Sequence, residues 1–410
     1  MSYLPRHAEK MVENLSNMFG CVLVTGPRQA GKTTMLQKLA KVPYVTLDDI
    51  FLQEQANLHP NTFIQDFPPP IFIDEAQKSP NLFPFIKMEV DKKHDNGIFY
   101  LSGSQQFQMM QNVSESLAGR IGFLTLLGLS AREIQKINFT EPFLPTTQYV
   151  QSRKKHPMKF TQDELWTLIV TGGMPALHNS SNTDWRSFYT AYVKTYIERD
   201  VKDLTNVGNT VQFMKFMTAT AAMTGQLLNI NSLSRDVGIS RKTAERWLSI
   251  LVALNAVYLL QPYSNNHLNR AIKTPKLYFL DTGLACYLTK WHSTETLKAG
   301  AMSGAMFETF VVAEILKSYL NAGVLDAPLY FFRNKDMAEI DLIIEQNGVL
   351  HPIEIKKHAD PTKNDIRNFR ALEKLVESTS LKVGEGCLLC TYDKVMHLDE
   401  KNWCLPVWML

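Results

Sequence analysis

Residues 26–33 fit the pattern G-x-x-x-x-G-K-[ST] without a gap, between an apolar run, Cys21 to Val24, and a helical stretch from Thr34. A strand, a glycine-rich turn and a helix in this order present backbone N–H groups and the positive end of the helix dipole to an anion. A glycine turn that binds nothing is the alternative, but the lysine and threonine favour a nucleotide-phosphate site. The residues predicted to bind the nucleotide are Gly26, Pro27, Arg28, Gln29, Ala30, Gly31, Lys32, Thr33 and Thr34.

An acidic pair, Asp74 and Glu75, ends the apolar run that begins at Ile71. With ATP in the loop, Lys32 is expected to reach the β- and γ-phosphates and the Thr33 hydroxyl to bind Mg²⁺. Asp74 would hold the same ion through its water shell, while Glu75 orients or deprotonates the attacking water. Acidic residues also end many solvated strands, but the preceding phosphate loop favours a catalytic pair here.

Two further polar groups are candidates for the same reaction. Ser102, with Ser104, ends the next apolar run and would contact the γ-phosphate or the water, although a serine-glycine turn is the alternative. Arg120 is a candidate for stabilising charge on the transferring phosphoryl group. It would act either within its own chain or across a subunit boundary of a homo-oligomer, and a surface arginine that caps a helix is the alternative.

The composition limits the class of protein. A chain of 410 residues is expected to contain about two to four domains, and a net charge of +3 restricts any nucleic-acid surface to a local patch. The five cysteines are scattered, and the C-x-x-C of Cys387 and Cys390 has no second pair to complete a zinc site, which favours reduced core thiols. The chain starts without a signal-peptide pattern and has no membrane-length apolar run. We therefore expect a cytoplasmic protein that contacts no membrane.

The pattern of apolar residues predicts an α/β chain in four parts. Over residues 1–150, short apolar runs alternate with helical stretches, which predicts a parallel sheet with helices on both faces. Residues 151–215 carry helical spacing and would form a lid over the nucleotide. The remaining chain is assigned to a winged helix-turn-helix at residues 216–292 and to a C-terminal α/β domain at residues 293–410.

A helix-turn-helix pattern begins at Leu233. A short helix, Gly238 in a tight turn and Ser240 as N-cap of a longer helix are followed by two wing strands, 257–260 and 276–280. The second helix leaves three basic residues on its outer face, where they could enter a major groove or bind phosphates: Arg241, Lys242 and Arg246. Exposed basic residues are often only a solvated face, and winged helices also serve as packing modules.

The C-terminal part contains a second group of residues suited to phosphate chemistry. Glu354 and Lys356 share one face of a strand, and a hairpin through residues 346–348 brings Asp341 beside them. Two carboxylates can bind Mg²⁺ or Mn²⁺, while the lysine orients a water or balances charge on the phosphate. Glu308, near the start of a helix, is a further candidate for this site. Such residues are also common on solvated strand faces that have no catalytic role.

These motifs in this order resemble the bacterial and archaeal AAA-type ATPases whose C-terminal part was called DUF4143. Three further segments share in the resemblance, which covers nearly the whole chain: residues 117–120, residues 126–133 and Thr195 to Val201, which is similar to the family's Y-x-E-R-D-[VI] segment. The resemblance implies a P-loop ATPase core, and it makes Arg199 a second arginine that would face the phosphates, with a salt bridge between lid and core as the alternative.

The C-terminal group resembles the core of PD-(D/E)xK nucleases, so this part is expected to have a restriction-endonuclease-like α/β fold. The sequence departs from that pattern at Ile340, which stands where the motif has proline. The resemblance implies DNA as a partner and ATP-dependent control of a nuclease or remodelling step. The alternative is an ATP-driven switch that acts on a protein partner through a C-terminal domain that recognises without cleaving.

Overall fold

The structure is a computed structural model that describes residues 3–104, 116–158, 160–179, 183–197, 210–264, 274–334, 338–377 and 379–410. Its first part is a five-stranded parallel sheet with the spatial order β2-β3-β4-β1-β5. The strands are β1 Cys21–Thr25, β2 Tyr44–Thr46, β3 Ile71–Asp74, β4 Phe99–Gly103 and β5 Ile121–Thr125. They confirm the apolar runs predicted from the sequence, and the parallel order confirms the α/β class.

Helices cover both faces of this sheet, because alternate residues of each strand enter different cores. Leu23 packs in a core with helices α3 to α5, whereas Val22 packs on the opposite face with α1 and α2. The helices are α1 Glu9–Met18, α2 Lys32–Ala40, α3 Ile50–Leu58, α4 Pro60–Asp66 and α5 Phe83–Lys93.

Helices also dominate the next part, where α8 and α10 fall on the segments with predicted helical spacing. A capping box of Thr161 and Glu164 starts α8, and the Asp184 carboxylate caps α10. The helices are α6 Ala131–Ile134, α7 Thr147–Lys154, α8 Gln162–Thr171, α9 Pro175–His178, α10 Trp185–Tyr192 and α11 Thr210–Ala222, with a π-helix at Val193–Ile197. Arg199 and the end of the predicted Y-x-E-R-D segment lie outside the described residues.

The helix pair predicted around Gly238 is present as α12 Ile230–Val237 and α13 Arg241–Ala253. Gly238 adopts a φ of 76°, which ends α12, and the Ser240 hydroxyl accepts a hydrogen bond from the Thr243 amide at 3.1 Å to start α13. Three strands accompany the pair: β6 Gln226–Leu227, β7 Val257–Pro262 and β8 Lys276–Phe279.

The remaining chain adds four helices and seven strands to these, all within the described residues. The helices are α14 Thr282–Thr289, α15 Thr294–Ala299, α16 Ser303–Asn321 and α17 Arg370–Val376. The strands are β9 Leu329–Arg333, β10 Glu339–Gln346, β11 Val349–Ile355, β12 Lys382–Val383, β13 Gly386–Cys390, β14 Met396–His397 and β15 Asn402–Pro406. Across the described ranges, every helix is too short or too polar to cross a membrane.

A second sheet joins the helix-turn-helix part to the C-terminal part. Its order is β14-β15-β13-β11-β10-β9-β7-β8-β6, with β12 paired to β11. The connection is a parallel pairing in which Gln261 of β7 lies opposite Tyr330 of β9. One hydrophobic core also extends from Leu127 to Leu410 through both parts. The border predicted at residue 292 therefore crosses a continuous sheet and a shared core.

Candidate functional site

The phosphate loop lies between β1 and α2, and its glycines meet two different requirements. Gly26 has a φ of 140°, and a Cβ atom there would lie 2.0 Å from the Leu126 carbonyl oxygen. Gly31 is the N-cap of α2 with a φ of 93°. Side chains other than hydrogen are strained at both positions. The loop therefore turns sharply into the N-terminus of α2, the end of a helix at which an anion such as phosphate is favoured.

Lys32 is buried, with 6% of its surface exposed, and its ammonium group lies against the loop itself. Its Nζ donates to the carbonyl oxygens of Gly26 at 2.9 Å and Pro27 at 2.8 Å. The charge is therefore held at the loop by backbone acceptors, from which it can turn to phosphate oxygens.

The Asp74 carboxylate gathers hydroxyl groups from three other elements. Thr33 Oγ1 on α2 and the Tyr44 hydroxyl on β2 donate to Asp74 Oδ2 at 2.9 and 3.2 Å, and Ser102 Oγ on β4 donates to Oδ1. The sheet order explains the Ser102 contact, since β3 and β4 are parallel neighbours whose carboxyl ends reach the same edge. Tyr44 instead begins β2, opposite Phe72, and its hydroxyl reaches Asp74 from there. The sequence placed Thr33, Asp74 and Ser102 at one site but assigned Tyr44 no role in it.

Thr33 Oγ1 and Asp74 Oδ2 are suitable ligands for Mg²⁺. The two oxygens lie 2.9 Å apart, so both residues would be close enough to hold the same ion, directly or through its water shell. Both are hard oxygen donors, and the Asp74 side chain is buried at the sheet edge. The residues present therefore fit the ion that ATP brings with it.

Glu75 follows the end of β3 in a left-handed conformation with a φ of 54°, which is uncommon for a residue with a side chain. Its amide donates to Asp74 Oδ1 at 3.2 Å, and its carboxylate accepts a hydrogen bond from Gln77 Nε2. Non-glycine residues in this conformation concentrate at functional sites.

A cavity of about 170 Å³ adjoins the phosphate loop. It is lined by Tyr3, Leu4, Arg6, Ala30, Gly31, Thr34, Leu129, Pro175 and Asn179. Within the described residues, Asn179 Oδ1 is buried and accepts no hydrogen bond, and the same holds for Ser104 Oγ near the end of β4. Apolar walls with one unpaired acceptor are suited to a flat ring that carries an amino group.

Of the alternatives left open for Arg120, action on the phosphates of its own chain does not fit its position in the structure. Its carbonyl oxygen accepts a hydrogen bond from the Cys21 amide, so it lies at the amino edge of the sheet, while the phosphate loop leaves the carboxyl edge. The five residues of β1 put about 16 Å between the two edges. There the Arg120 guanidinium forms an ion pair with Asp91 on α5, with one N–O distance of 3.0 Å.

Arg6, which the sequence interpretation did not single out, connects the loop to the segment after β5. Its guanidinium donates to the carbonyl oxygens of Ala30 at 2.7 Å and Leu127 at 2.8 Å, and it pairs with Glu133 at 3.0 Å. The Arg6 and Glu133 side chains are 3% and 0% exposed. A buried charge pair that also satisfies backbone carbonyls fixes the P-loop relative to this segment.

The same segment contacts α16 through a second buried ion pair, Glu314 with Lys317, at 2.8 Å. Glu314 accepts a hydrogen bond from the Ala131 amide at 2.7 Å, and Lys317 donates to the Leu129 carbonyl at 3.0 Å. Residues 127–133 therefore lie between the phosphate loop and α16. Charged residues within the apolar face of a helix were the sequence signal for this contact.

Asp341, Glu354 and Lys356 meet as the sequence predicted. Lys356 Nζ lies 2.6 Å from Glu354 Oε1 and 3.5 Å from Asp341 Oδ2, and the Ile355 amide donates to the latter oxygen at 2.9 Å. The hairpin of β10 and β11 aligns the three, and a register shift between β9 and β10 falls at Ile340 to Ile343. Such a bulge reorients side chains at functional sites.

Glu308 joins the same cluster through a lysine that the sequence interpretation missed. Lys276 Nζ on β8 lies 3.2 Å from Glu308 Oε1, 2.6 Å from Glu339 Oε1 and 3.8 Å from Asp341 Oδ1. The Tyr278 hydroxyl donates to Glu308 at 2.6 Å. A lysine and a tyrosine at alternate positions of a strand share one face, and this spacing was the available signal.

The cluster changes the protonation behaviour of its members. Burial and the neighbouring Asp341 charge raise the pKa of Glu308 to about 7 and that of Glu354 to about 8. Burial alone would lower the pKa of Lys276 and Lys356, but the surrounding carboxylates raise the pKa of both above its usual range. The ammonium groups therefore remain charged at neutral pH.

Asp341 and Glu354 can hold a divalent cation with help from solvent or substrate. Glu354 Oε2 accepts no hydrogen bond within the described residues although its side chain is only 7% exposed, so this oxygen is available to a cation or a water. No group of three or more His, Cys, Asp or Glu side chains in those residues is arranged to hold a metal. The donor set fits Mg²⁺ bound by two carboxylates, water and phosphate.

The basic residues proposed for nucleic acid lie at the start of α13. Arg241, Lys242 and Arg246 are exposed, and Arg241 pairs with Glu245 at 2.8 Å on the same helix. Residues 265–273, between β7 and β8, lie outside the described residues. The basic face is therefore accessible, and an exposed pair of this kind contributes little to stability.

Comparison with known proteins gives matches along most of the chain. A family model described as an AAA domain matches residues 19–135, and models of two domains of unknown function, DUF8612 and DUF4143, match residues 162–295 and 303–410. The uncharacterized proteins Mb2031c of Mycobacterium bovis and Rv2008c of Mycobacterium tuberculosis are each 31% identical over 344 residues, which is 83% of this chain and 71% of theirs.

Solved structures give more distant matches. The Walker-type ATPase PABY2304 of Pyrococcus abyssi is 14% identical with a TM-score of 0.44, over 68% of this chain and 94% of that one. AMPPCP-bound DnaA from Aquifex aeolicus is 12% identical with a TM-score of 0.28, over 59% and 84%. The AAA domain supports ATP binding and hydrolysis. With the relatives and the two terminal domain matches, the chain belongs to the AAA-type P-loop ATPases that carry a C-terminal DUF4143 domain.

Proposed function

We propose that the chain is a Mg²⁺-dependent ATP hydrolase whose nucleotide site controls a DNA-acting, nuclease-like C-terminal centre. The observation that carries the ATPase half is the set of hydroxyl groups of Thr33 and Ser102 on the Asp74 carboxylate, beside the lysine of the phosphate loop. Binding alone needs only the loop, whereas a buried carboxylate with polar groups from neighbouring strands also suits hydrolysis.

In this reaction Mg²⁺ would be held by Thr33 and Asp74, and it would neutralise charge on the β- and γ-phosphates. Lys32 exchanges its backbone acceptors for phosphate oxygens. Glu75 orients the attacking water and accepts its proton, and Ser102 positions the γ-phosphate or that water. The adenosine enters the cavity beside the loop, where Asn179 Oδ1 accepts a hydrogen bond from the adenine amino group.

The buried contacts between the two ends support coupling. The loop carbonyl of Ala30 is bonded to Arg6, Arg6 to Glu133, and residues 129–131 to Glu314 and Lys317 on α16. The same helix carries Glu308 into the C-terminal cluster. A movement of the loop on nucleotide exchange would therefore reach this cluster through packed, hydrogen-bonded groups.

The C-terminal half of the proposal assigns phosphodiester hydrolysis to the cluster on β10 and β11. Asp341 and Glu354 would hold Mg²⁺, which activates a water and polarises the phosphate. Lys356 orients that water or balances phosphate charge. Glu308 adds a further carboxylate to the cluster from α16. Arg241, Lys242 and Arg246 supply backbone contacts to DNA on the exposed face of α13. All five cysteines are free and buried, which supports a reducing, cytoplasmic compartment.

A specific observation favours the second function, an ATP-driven switch that acts on a protein partner. The buried ammonium of Lys276 already lies among Glu308, Glu339 and Asp341, so part of the carboxylate charge is balanced without a metal. A C-terminal domain with such a centre can keep the nuclease-like fold and recognise a partner without cleaving it.

Plasmid cleavage by the full chain with Mg²⁺ or Mn²⁺, with and without ATP, separates the two functions. The nuclease proposal predicts cleavage that ATP modulates and that Asp341→Ala abolishes. Cleavage that persists in Asp341→Ala would come from a contaminant and contradict the assignment. Absence of cleavage, together with ATP turnover that DNA leaves unchanged, would favour the switch.

A further inference from the structure

Lys276 is the least expected member of the C-terminal cluster. Its side chain is 4% exposed, yet its ammonium group contacts carboxylates from two elements, α16 and β10. It also lies 5.7 Å from the centroid of the Phe331 ring on β9. A lysine is almost never buried to this extent without charge partners, so the position is specified by the cluster.

Lys276 comes from a different matched region of the chain than the carboxylates. It begins β8, within the segment matched by DUF8612, whereas Glu308, Glu339 and Asp341 lie in the DUF4143 segment. Pairing of Lys276 with Leu260 of β7 and of β7 with β9 fixes its backbone relative to the cluster. The centre is therefore shared between the two regions.

The Asp341 carboxylate divides the cluster into two halves. Its Oδ1 lies 3.8 Å from Lys276, while its Oδ2 lies 3.5 Å from Lys356 and accepts from the Ile355 amide. The first half contains Glu308 and Glu339 with the buried Lys276 ammonium. The second contains Glu354, whose Oε2 is buried without a hydrogen-bond partner among the described residues.

Repulsion from the Lys276 ammonium group decides which half of the cluster can bind a metal ion. A divalent ion between Glu308 and Asp341 would lie within a few ångströms of the Lys276 ammonium, and like charges at about 4 Å repel strongly when they are shielded from water. Lysine differs from a metal here because it cannot leave, since the sheet holds its backbone. Among the described residues, the cation beside Glu354 is Lys356, which is 36% exposed and can swing aside.

We propose that Lys276 is a built-in cation that occupies the Glu308, Glu339 and Asp341 half of the centre and excludes a divalent metal from it. The centre is thereby limited to at most one divalent ion, between Asp341 and Glu354. This inference rests on the metal-binding role proposed above for those two carboxylates. Lys276 is a positioning residue, because it acts through the carboxylates that it holds.

Counting bound Mn²⁺ by electron paramagnetic resonance tests the proposal on the full, nucleotide-free chain. Each protein carries Asp74→Ala to remove binding at the nucleotide site, and Asp341→Ala assigns the remaining signal to the C-terminal centre. The proposal predicts that Lys276→Met binds one more ion than the parent, or binds Mn²⁺ at least about tenfold more tightly. Lys276→Arg, which keeps the charge, is expected to match the parent.

The outcomes separate this inference from the proposed function. A folded Lys276→Met protein, checked by circular dichroism, that gains neither an ion nor affinity would overturn the inference. A parent protein that binds no ion at this centre would instead remove the proposed metal role of Asp341 and Glu354, even if Lys276→Met gains one. If the Met variant does not fold, Lys276→Gln replaces it, and the parent count still decides: one ion supports the inference, and two ions would overturn it.

Discussion

At the scale of single residues, Asp74 connects the parts of the nucleotide site. Its carboxylate is buried at the end of β3 and receives hydroxyl groups from Thr33, Tyr44 and Ser102, so each part of the site depends on its location. The strand itself is apolar, and the acid lies at its carboxyl end because only that edge opens toward the phosphate loop. The local chain pattern was therefore enough to predict it.

Asn179 gives a prediction about nucleotide preference. Replacing it with leucine removes the unpaired acceptor in the cavity, so the adenine amino group loses one hydrogen bond, worth about 1 kcal/mol or roughly fivefold in affinity. We expect the KM for ATP to rise by this factor, with kcat unchanged and with a reduced preference for ATP over GTP. An unchanged KM ratio for the two nucleotides in steady-state assays would show that the base binds elsewhere.

Glu354 gives a prediction about pH. Its pKa of about 8, raised by burial and by Asp341, means that the side chain is mostly protonated at pH 7, and a divalent ion must displace that proton. Mn²⁺ affinity should therefore rise about tenfold per pH unit up to about pH 8 and level off above it. Titrations followed by paramagnetic resonance between about pH 6 and pH 9 measure this. A flat profile, or one that falls with pH, contradicts the assignment.

Individual residues also show which contacts could not be predicted from the sequence. Asp341, Glu354 and Lys356 lie within one hairpin, so strand periodicity brings them together. Lys276 meets them only because β7 pairs with β9, a contact between distant parts of the chain that no local pattern contains. Arg120 lies away from the phosphates of its own chain for another reason: it precedes β5, and a residue before a parallel strand lies at the edge opposite the ligand.

At the scale of elements, α16 is the structural connection between the two sites. It is buried along most of its length, from Ser303 to Asn321. Glu308 lies in the C-terminal cluster, and Glu314 and Lys317 contact residues 129–131 beside the ATPase sheet. A helix with polar contacts at two places along its length transmits displacement better than a loop would. The helix itself was predicted from sequence, but its contacts with the ATPase part were not.

The buried pair on α16 predicts a stability difference. Lys317→Met leaves Glu314 buried without its partner, which should lower the free energy of unfolding by about 3 kcal/mol. Lys298→Met is the matched control, because Lys298 forms an exposed pair with Asp163 and should contribute less than about 1 kcal/mol. Urea unfolding curves compare the two variants. Equal shifts in the midpoint would mean that burial of the Glu314 pair has no energetic role.

At the scale of the whole molecule, the second sheet and its core make one body of the helix-turn-helix and C-terminal parts. The sequence indicated the elements of each part but placed a border between them, since short strands of both parts are far apart in the chain. The shared core from Leu127 to Leu410 predicts that these parts open together.

Hydrogen exchange measures this cooperativity. Amides of β8 and of β10 are expected to exchange with the same opening free energy, because β7 and β9 join them in one sheet and both strands contribute to the common core. The first sheet is the control. Its strand β3 packs in a separate core, so its opening free energy can differ from that of β8 and β10. Exchange of β8 well before β10 would indicate two independent domains.

The ATPase assignment is tested most directly by phosphate release from the Glu75→Gln variant, beside Lys32→Ala. Glu75→Gln removes the base but leaves the loop, so ATP should bind as in the wild type while turnover falls by about 10² or more. Lys32→Ala should abolish turnover through loss of phosphate contacts. Wild-type phosphate release from purified Glu75→Gln would contradict the hydrolytic site built on Asp74 and Glu75.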